Sequence, residues 1–195
     1  MTALNALLRE LEAFGEDNDH SHAQRERRML NITRDTGELL AVLVQARGAR
    51  RLLEIGTANG YSTQWLARAT AALGGSVTTV EYAAHKFALA QANFARAGSG
   101  ASIRALLADA GRVLAEAADG AYDFIFLDSK RSQYQAWWPQ LERVLRAGGV
   151  LVVDNATSHY AEMAAFVEAI GADAGFTCCL VPVGKGEFIA VKASA

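Results

Sequence analysis

Five acids, Glu54, Glu81, Asp109, Asp128 and Asp154, each stand in or just beyond the last position of a short apolar run. If those runs are parallel strands, their carboxyl ends share one sheet edge, which is where open α/β sheets bind ligands. A row of carboxylates there suits a ligand that offers hydroxyls, an ammonium or sulfonium group, or a metal ion, and suits a bare phosphate poorly. Any one of the five, read alone, is as well explained as a helix N-cap. Five along one edge are harder to explain that way.

The first of these turns reads Glu54-Ile55-Gly56-Thr57-Ala58-Asn59-Gly60-Tyr61-Ser62. Its glycines permit a tight turn and a close backbone approach to a ligand. G-x-x-x-G spacing alone is weak, because glycines punctuate many turns that bind nothing. Glu81, closing the next run, can accept from ribose hydroxyls. A nicotinamide enzyme would place an acid there too, but the G-x-G-x-x-G fingerprint is missing and Glu54 precedes the first glycine. Both features favour S-adenosylmethionine (SAM) over a dinucleotide.

The elements that must position these residues follow from the pattern of apolar residues. Runs rich in leucine, valine and isoleucine at 51–56, 77–81, 103–107, 123–127 and 150–154 read as strands. Between them, 62–73, 84–97, 111–118 and 134–145 carry apolar residues three and four apart, the helical spacing. That alternation predicts an α/β fold: a doubly wound, mostly parallel sheet covered on both faces. A helix over 158–172 and two strands at 176–181 and 187–192, joined by a Pro-Val-Gly-Lys-Gly turn, complete seven strands with an antiparallel C-terminal hairpin. Upstream, Leu4, Leu7, Leu8, Leu11 and Phe14 form the stripe of a first helix. The polar stretch 15–28 has no usable periodicity, and a helix over 39–46 follows two candidate caps, Thr33 and Thr36.

A chain of 195 residues with 51% hydrophobic and 21% charged content is expected to form one domain over 1–195, a helical extension at 1–28 before a core at 29–192. The net charge of -2 and the scattered basic residues, apart from Arg25, Arg27 and Arg28, argue against nucleic acid and for a small-molecule substrate. No run is long and apolar enough to span a membrane, and the N-terminus does not read as an export signal. Cys178 and Cys179, neighbours in an apolar run, are expected to be buried and reduced, which fits a cytoplasmic protein.

From about Met29 to Lys192 the chain resembles the class I SAM-dependent methyltransferases, and within them the metal-dependent catechol and caffeoyl-CoA O-methyltransferase-like family. The segments that carry the likeness are LLEIGTANGYST (52–63), TTVEY (78–82), FIFLD (124–128) and LVVDN (151–155). The resemblance implies that Glu54, Gly56, Ala58, Gly60, Tyr61 and Ser62 form the turn around the methionine part of SAM. It further implies that Glu81, with Tyr82 beside it, holds the ribose, that Asp109 and Ala110 lie by the adenine, that Ile32 touches the cofactor, and that Asp128 sits near both cofactor and metal. For Ile32 and Ala58, ordinary packing is an equally good reading.

Asp128, Asp154 and Asn155 are all oxygen donors, a set suited to magnesium, manganese or calcium and poorly to zinc. The alternative is that Asp154-Asn155 is simply a turn after a strand; the family likeness tips the choice toward the metal. A hydroxyl is a poor nucleophile toward a sulfonium methyl, whereas an oxyanion beside a divalent cation persists near neutral pH. The family usually places a lysine three residues after the strand-end aspartate. Arg131 stands there instead, with Lys130 one position earlier. Arginine stays protonated and cannot serve as base, though it can stabilise an oxyanion. That leaves Lys130 as base, or metal and solvent alone, or an activity that has drifted; His159 ranks below Lys130.

These readings converge on methyl transfer from SAM to a hydroxyl of a small aromatic dihydroxy compound, with a divalent cation, by a homodimer whose first helix packs on a partner subunit or over the site. The rivals are a metal-independent methyltransferase and a SAM-binding protein without turnover. The chain is also short between Asn155 and the last helix, where relatives often carry an insertion that helps enclose substrate.

Overall fold

The computed structural model describes residues 3–194. In chain order it contains α1 (Ala3–Ser21), α2 (Arg34–Arg47), β1 (Arg51–Ile55), α3 (Tyr61–Ala71), β2 (Ser76–Glu81), α4 (Ala84–Ala97), β3 (Ile103–Leu107), α5 (Ala110–Glu116), β4 (Tyr122–Leu127), α6 (Tyr134–Val144), β5 (Leu145–Val153), α7 (Tyr160–Gly171), β6 (Phe176–Val181) and β7 (Glu187–Lys192). The seven strands form one sheet in the order β3-β2-β1-β4-β5-β7-β6. Strands β1 to β5 pair in parallel, and β7 runs antiparallel to both β5 and β6. The chain winds outward from β1 in one direction and then restarts at β4, so a topological switch point lies between these two strands.

Alternation along the central strands builds the core. Leu52, Phe124, Phe126 and Val152 face Leu8, Leu40, Val44 and Leu66 of α1, α2 and α3. Their neighbours Leu53, Ile125, Leu127 and Val153 face Leu114, Leu141, Phe166 and Ile170 of α5, α6 and α7. Successive side chains of a strand point to opposite faces, so one run of apolar residues serves two layers.

Departures from the expected pattern have local causes. The first helix continues through the polar stretch to Ser21 because its side chains tie down the returning chain. Asp19 accepts from the backbone N–H groups of Met29 (2.7 Å) and Leu30 (3.0 Å), while Asn31 Nδ2 donates to the Leu11 carbonyl at 3.0 Å. The leucine stripe of α1 also needs no partner subunit for its cover: Leu7, Leu8 and Leu11 are buried within the chain's own core, and Leu4 packs against it. Of the two cysteines expected to be buried, Cys178 is partly covered and Cys179 is exposed. β6 is an edge strand and turns alternate residues outward.

Candidate functional site

The carboxyl edge at the switch point gathers most of the expected residues. The turn after β1 is shaped by close contact with β4: Gly56 has φ +109°, and a Cβ there would overlap the Asp128 carbonyl oxygen. Ala58 takes a left-handed φ of +48°. Glu81 closes over this turn, accepting from the N–H of Ala58 at 2.9 Å and of Ala83 at 2.8 Å. Gly60, at φ +86°, lies against the Phe94 ring and caps α3.

Glu54 lies deeper than a ligand-facing group. It is fully buried, and its two oxygens accept from the hydroxyls of Ser62 (2.6 Å), Thr63 (2.5 Å) and Thr79 (2.6 Å). Burial raises its carboxyl to about 7 in spite of those three bonds. The Ser62 hydroxyl is thereby committed inward, and the hydroxyl of the buried Tyr61 donates to Glu12 of α1. Asp109 is the N-cap of α5, accepting from the Arg112 N–H at 3.0 Å, with Ala110 buried behind it. Tyr82 (81% exposed) and Leu107 (49% exposed) stand as apolar surface at this edge, and Ile32 is buried in the core.

Asp128, Asp154 and Asn155 meet where β4 and β5 end. Asn155, in a left-handed conformation at φ +66°, directs Nδ2 at both acids, 2.7 Å from Asp154 Oδ2 and 3.4 Å from Asp128 Oδ1. Burial raises both aspartates above their ordinary value, and the Asp154 charge pushes Asp128 up further. Ser129, the residue after Asp128, donates its backbone N–H to the Tyr134 hydroxyl at 2.8 Å, and its own buried hydroxyl meets the same group.

Lys130 is exposed, and its side chain holds no hydrogen bond or ion pair among the described residues. Arg131 points inward, its Nε donating to Glu162 of α7 at 2.9 Å. His159 precedes α7 with Nδ1 at 2.8 Å from the Ser158 hydroxyl. Burial first, then Arg131, lower its pKa.

One buried acid at this edge belongs to no candidate set read from the sequence. Glu187, the first residue of β7, is fully buried and accepts from the Thr36 hydroxyl at 2.9 Å. No N–H or hydroxyl reaches its other oxygen; what it meets is Asp154, with which it shares a hydrogen bond. Burial and the Asp154 charge push Glu187 well above the carboxylate range, and one proton is shared in the hydrogen bond between the two carboxyls. The signal in the sequence is an acid opening an otherwise apolar strand. A surface groove lined by Arg9, Arg34, Trp65 and Arg68 involves α1, α2 and α3 and none of these acids.

An O-methyltransferase family model matches residues 6–193. A catechol O-methyltransferase from Mycobacterium tuberculosis is 37% identical over 124 residues, 64% of this chain and 56% of that enzyme's length. A Mycobacterium bovis protein, itself provisionally named an O-methyltransferase, is 33% identical over 174 residues, 83% of this chain and 77% of that protein. The chain belongs to the O-methyltransferase family. The solved Bacillus cereus O-methyltransferase, in complex with S-adenosylhomocysteine (SAH), superposes with a TM-score of 0.79 at 26% identity over 96% of this chain and 90% of that one.

In this family the methyl donor is SAM. The edge fits such a ligand: a tight turn at Gly56 held against β4, an acid at Glu81, and uncovered apolar groups at Tyr82 and Leu107. The Asp128, Asp154 and Asn155 oxygens fit a hard divalent cation by their chemistry, since two crowded carboxylates gain most from a positive charge between them. Among the described residues no three acids, histidines or cysteines form a metal cluster, so an amide or the acceptor's own oxygens must complete such a site.

Proposed function

We propose that this member of the O-methyltransferase family transfers the SAM methyl group to a hydroxyl of a small aromatic dihydroxy compound with the aid of a divalent cation. The observation that carries the reading is the convergence of Asp128, Asp154 and Asn155 beside the Gly56 turn, on the edge that Glu81 also faces.

In this reading Gly56 and Ala58 form the wall against the methionine part, Glu81 receives ribose hydroxyls, and Asp109 with Ala110 and Tyr82 borders the adenine. Asp128, Asp154 and Asn155 would hold the cation. A bound divalent cation lowers the pKa of a hydroxyl near it and fixes two adjacent oxygens in orientation. Glu187 keeps Asp154 turned toward the site through the hydrogen bond the two carboxyls share. Lys130 is the residue after β4 able to take the acceptor's proton. Arg131 stays protonated and supports anionic charge. Cytoplasmic location and homodimerisation belong to the same proposal. The exposed apolar side chains Val42, Leu180 and Val191 support the second, and no described helix is long and apolar enough to cross a membrane.

The deciding experiment is calorimetric titration of metal-stripped protein with SAM and then with catechol, with and without magnesium. Binding of SAM followed by magnesium-dependent binding of catechol supports the proposal. Catechol binding indifferent to magnesium favours a metal-independent methyltransferase, the reading toward which the Asn155 amide points by already bridging the two acids. SAM binding without turnover of any phenol favours a non-catalytic binding protein, as the tied Arg131 would allow.

A further inference from the structure

The turn between β6 and β7 reaches the acidic floor from a different direction than the parallel strands. β7 pairs antiparallel with β5, Val153 opposite Phe188, so the residues just before β7 lie at the edge where β5 ends. The turn is pinned there by three backbone hydrogen bonds. The Lys185 carbonyl accepts from Thr157 N (3.2 Å) and Ser158 N (3.1 Å), and the Gly186 carbonyl from Ala156 N (2.7 Å). Gly184 and Gly186 take left-handed φ values of +58° and +90°. A Cβ on the first would overlap the Thr33 and Thr36 hydroxyls, and on the second the Thr157 side chain. Of the three residues, Lys185 alone has a side chain, and it is exposed.

That side chain is charged, fixed at its base and uncommitted. Its ammonium has no hydrogen bond or ion pair among the described residues, yet its charge is felt at Asp128, Asp154 and His159. Arg25, exposed on the connection between α1 and α2, bears on His159 and Glu162 from the other side. Glu162 is already taken by Arg131. The site therefore has a negative floor and a positive rim. Once a divalent cation offsets the two aspartates, the rim is the remaining charge.

We propose that Lys185 is a specificity-determining residue that holds the carboxylate of an anionic acceptor, a small aromatic dihydroxy acid. This rests on the acceptor reading above and narrows it. A ring that turns its two hydroxyls to the floor and a carboxylate to the rim satisfies both charges, whereas a neutral congener leaves the ammonium to water. One exposed ammonium-carboxylate pair is enough for a several-fold preference that salt weakens.

The test is equilibrium binding of 3,4-dihydroxybenzoate and of the neutral 3,4-dihydroxybenzyl alcohol to the full chain in the presence of SAH and magnesium, at 0.02 M and 0.5 M salt. The acid is expected to bind about five-fold more tightly at low salt. Lys185→Met should remove that preference and Lys185→Arg should keep it, with melting curves showing that both variants fold. Equal binding of the two compounds, or a preference that survives Lys185→Met, overturns the proposal and leaves the acceptor reading standing. If SAH binds and neither compound does, the acceptor reading fails and this proposal falls with it.

Discussion

Arg131 Nε donates to Glu162 Oε2 at 2.9 Å, with the arginine side chain 4% exposed and the glutamate 50%. The pair links the chain after β4 to the first turn of α7. It commits the guanidinium to a structural partner at the position where the family usually carries a lysine. Removing the glutamate leaves the buried guanidinium without its hydrogen-bonded partner, with only the more distant charges of Asp128 and Asp154 to offset it. Glu162→Ala is therefore expected to cost about 1–2 kcal/mol in urea denaturation, the half-exposed carboxylate placing it below a fully buried pair. An unchanged midpoint would show that water replaces the carboxylate without loss.

With Arg131 occupied, proton removal falls to Lys130 or to the cation and solvent. A positioned general base contributes roughly a hundred-fold or more. Lys130→Met should lower kcat by that order with little change in the SAM dissociation constant. A kcat within two-fold of the parent would instead assign the proton to solvent. Since the exposed Lys130 side chain holds no partner among the described residues, its replacement should leave the melting temperature in place, which separates the chemical effect from a folding one.

Asp128 and Asp154 should show opposed effects on stability and binding. Each carboxyl is raised above its ordinary pKa by burial, and for Asp128 also by the other's charge. A raised carboxyl favours the fold at low pH and loses that contribution as pH climbs through its folded pKa. In metal-free protein at pH 7.5, Asp128→Asn should raise stability by about 1 kcal/mol while abolishing any stabilisation by added magnesium. Magnesium that still raises the melting temperature of this variant would mean that Asp128 is no ligand.

The sheet is legible in the sequence because each central strand is a short apolar run between helical spacings, as at Leu52, Leu53 and Ile55. The acids at the ends of parallel strands are legible for the same reason, since position in the run gives position on the edge. Side-chain commitments are not. Nothing in the residue types separates Glu54, whose oxygens are consumed by three hydroxyls, or the exposed N-cap Asp109, from Glu81, which closes over the glycine turn, and from Asp128, which meets Asp154 and Asn155. Glu187 and Lys185 escape a search along strand ends because β7 is antiparallel and brings its first residue, with the turn before it, to the edge. Residues 15–21 carry no helical stripe because their polar groups bind the returning backbone, a tertiary effect outside any local pattern.

Glu54 makes the pH dependence of folding testable at one residue. Its carboxyl moves from 4.5 to about 7 on burial. Below pH 4.5 the folded and unfolded chains are both protonated there. As pH rises toward 7 the unfolded chain releases the proton first, so stability falls across this window and the loss is complete above it, by about 3 kcal/mol. Glu54→Gln removes the charge, and the hydroxyls of Ser62, Thr63 and Thr79 can turn to accept from its amide. Urea unfolding at pH 5 and pH 8 should differ by about 2–3 kcal/mol less in the variant than in the parent. Equal differences would place the pH dependence elsewhere.

The turn after β1 offers the sharpest contrast between a glycine that frees a bend and one that admits a close approach. Gly48, at φ +68°, ends α2 with no atom within 4 Å of a built Cβ, so Gly48→Ala meets only the left-handed backbone. That substitution should cost about 1 kcal/mol. Gly56 has both penalties: φ +109°, and a β4 carbonyl where the Cβ would go. Relief requires the Asp128 backbone to move away from β1, carrying its carboxylate away from Asp154 and Asn155. Gly56→Ala is expected to cost about 2–4 kcal/mol and to weaken SAM and magnesium binding together, where Gly48→Ala weakens neither. A Gly56→Ala protein that folds and binds SAM with parental affinity would show that β1 and β4 do not need this approach, and would remove the turn from the binding site.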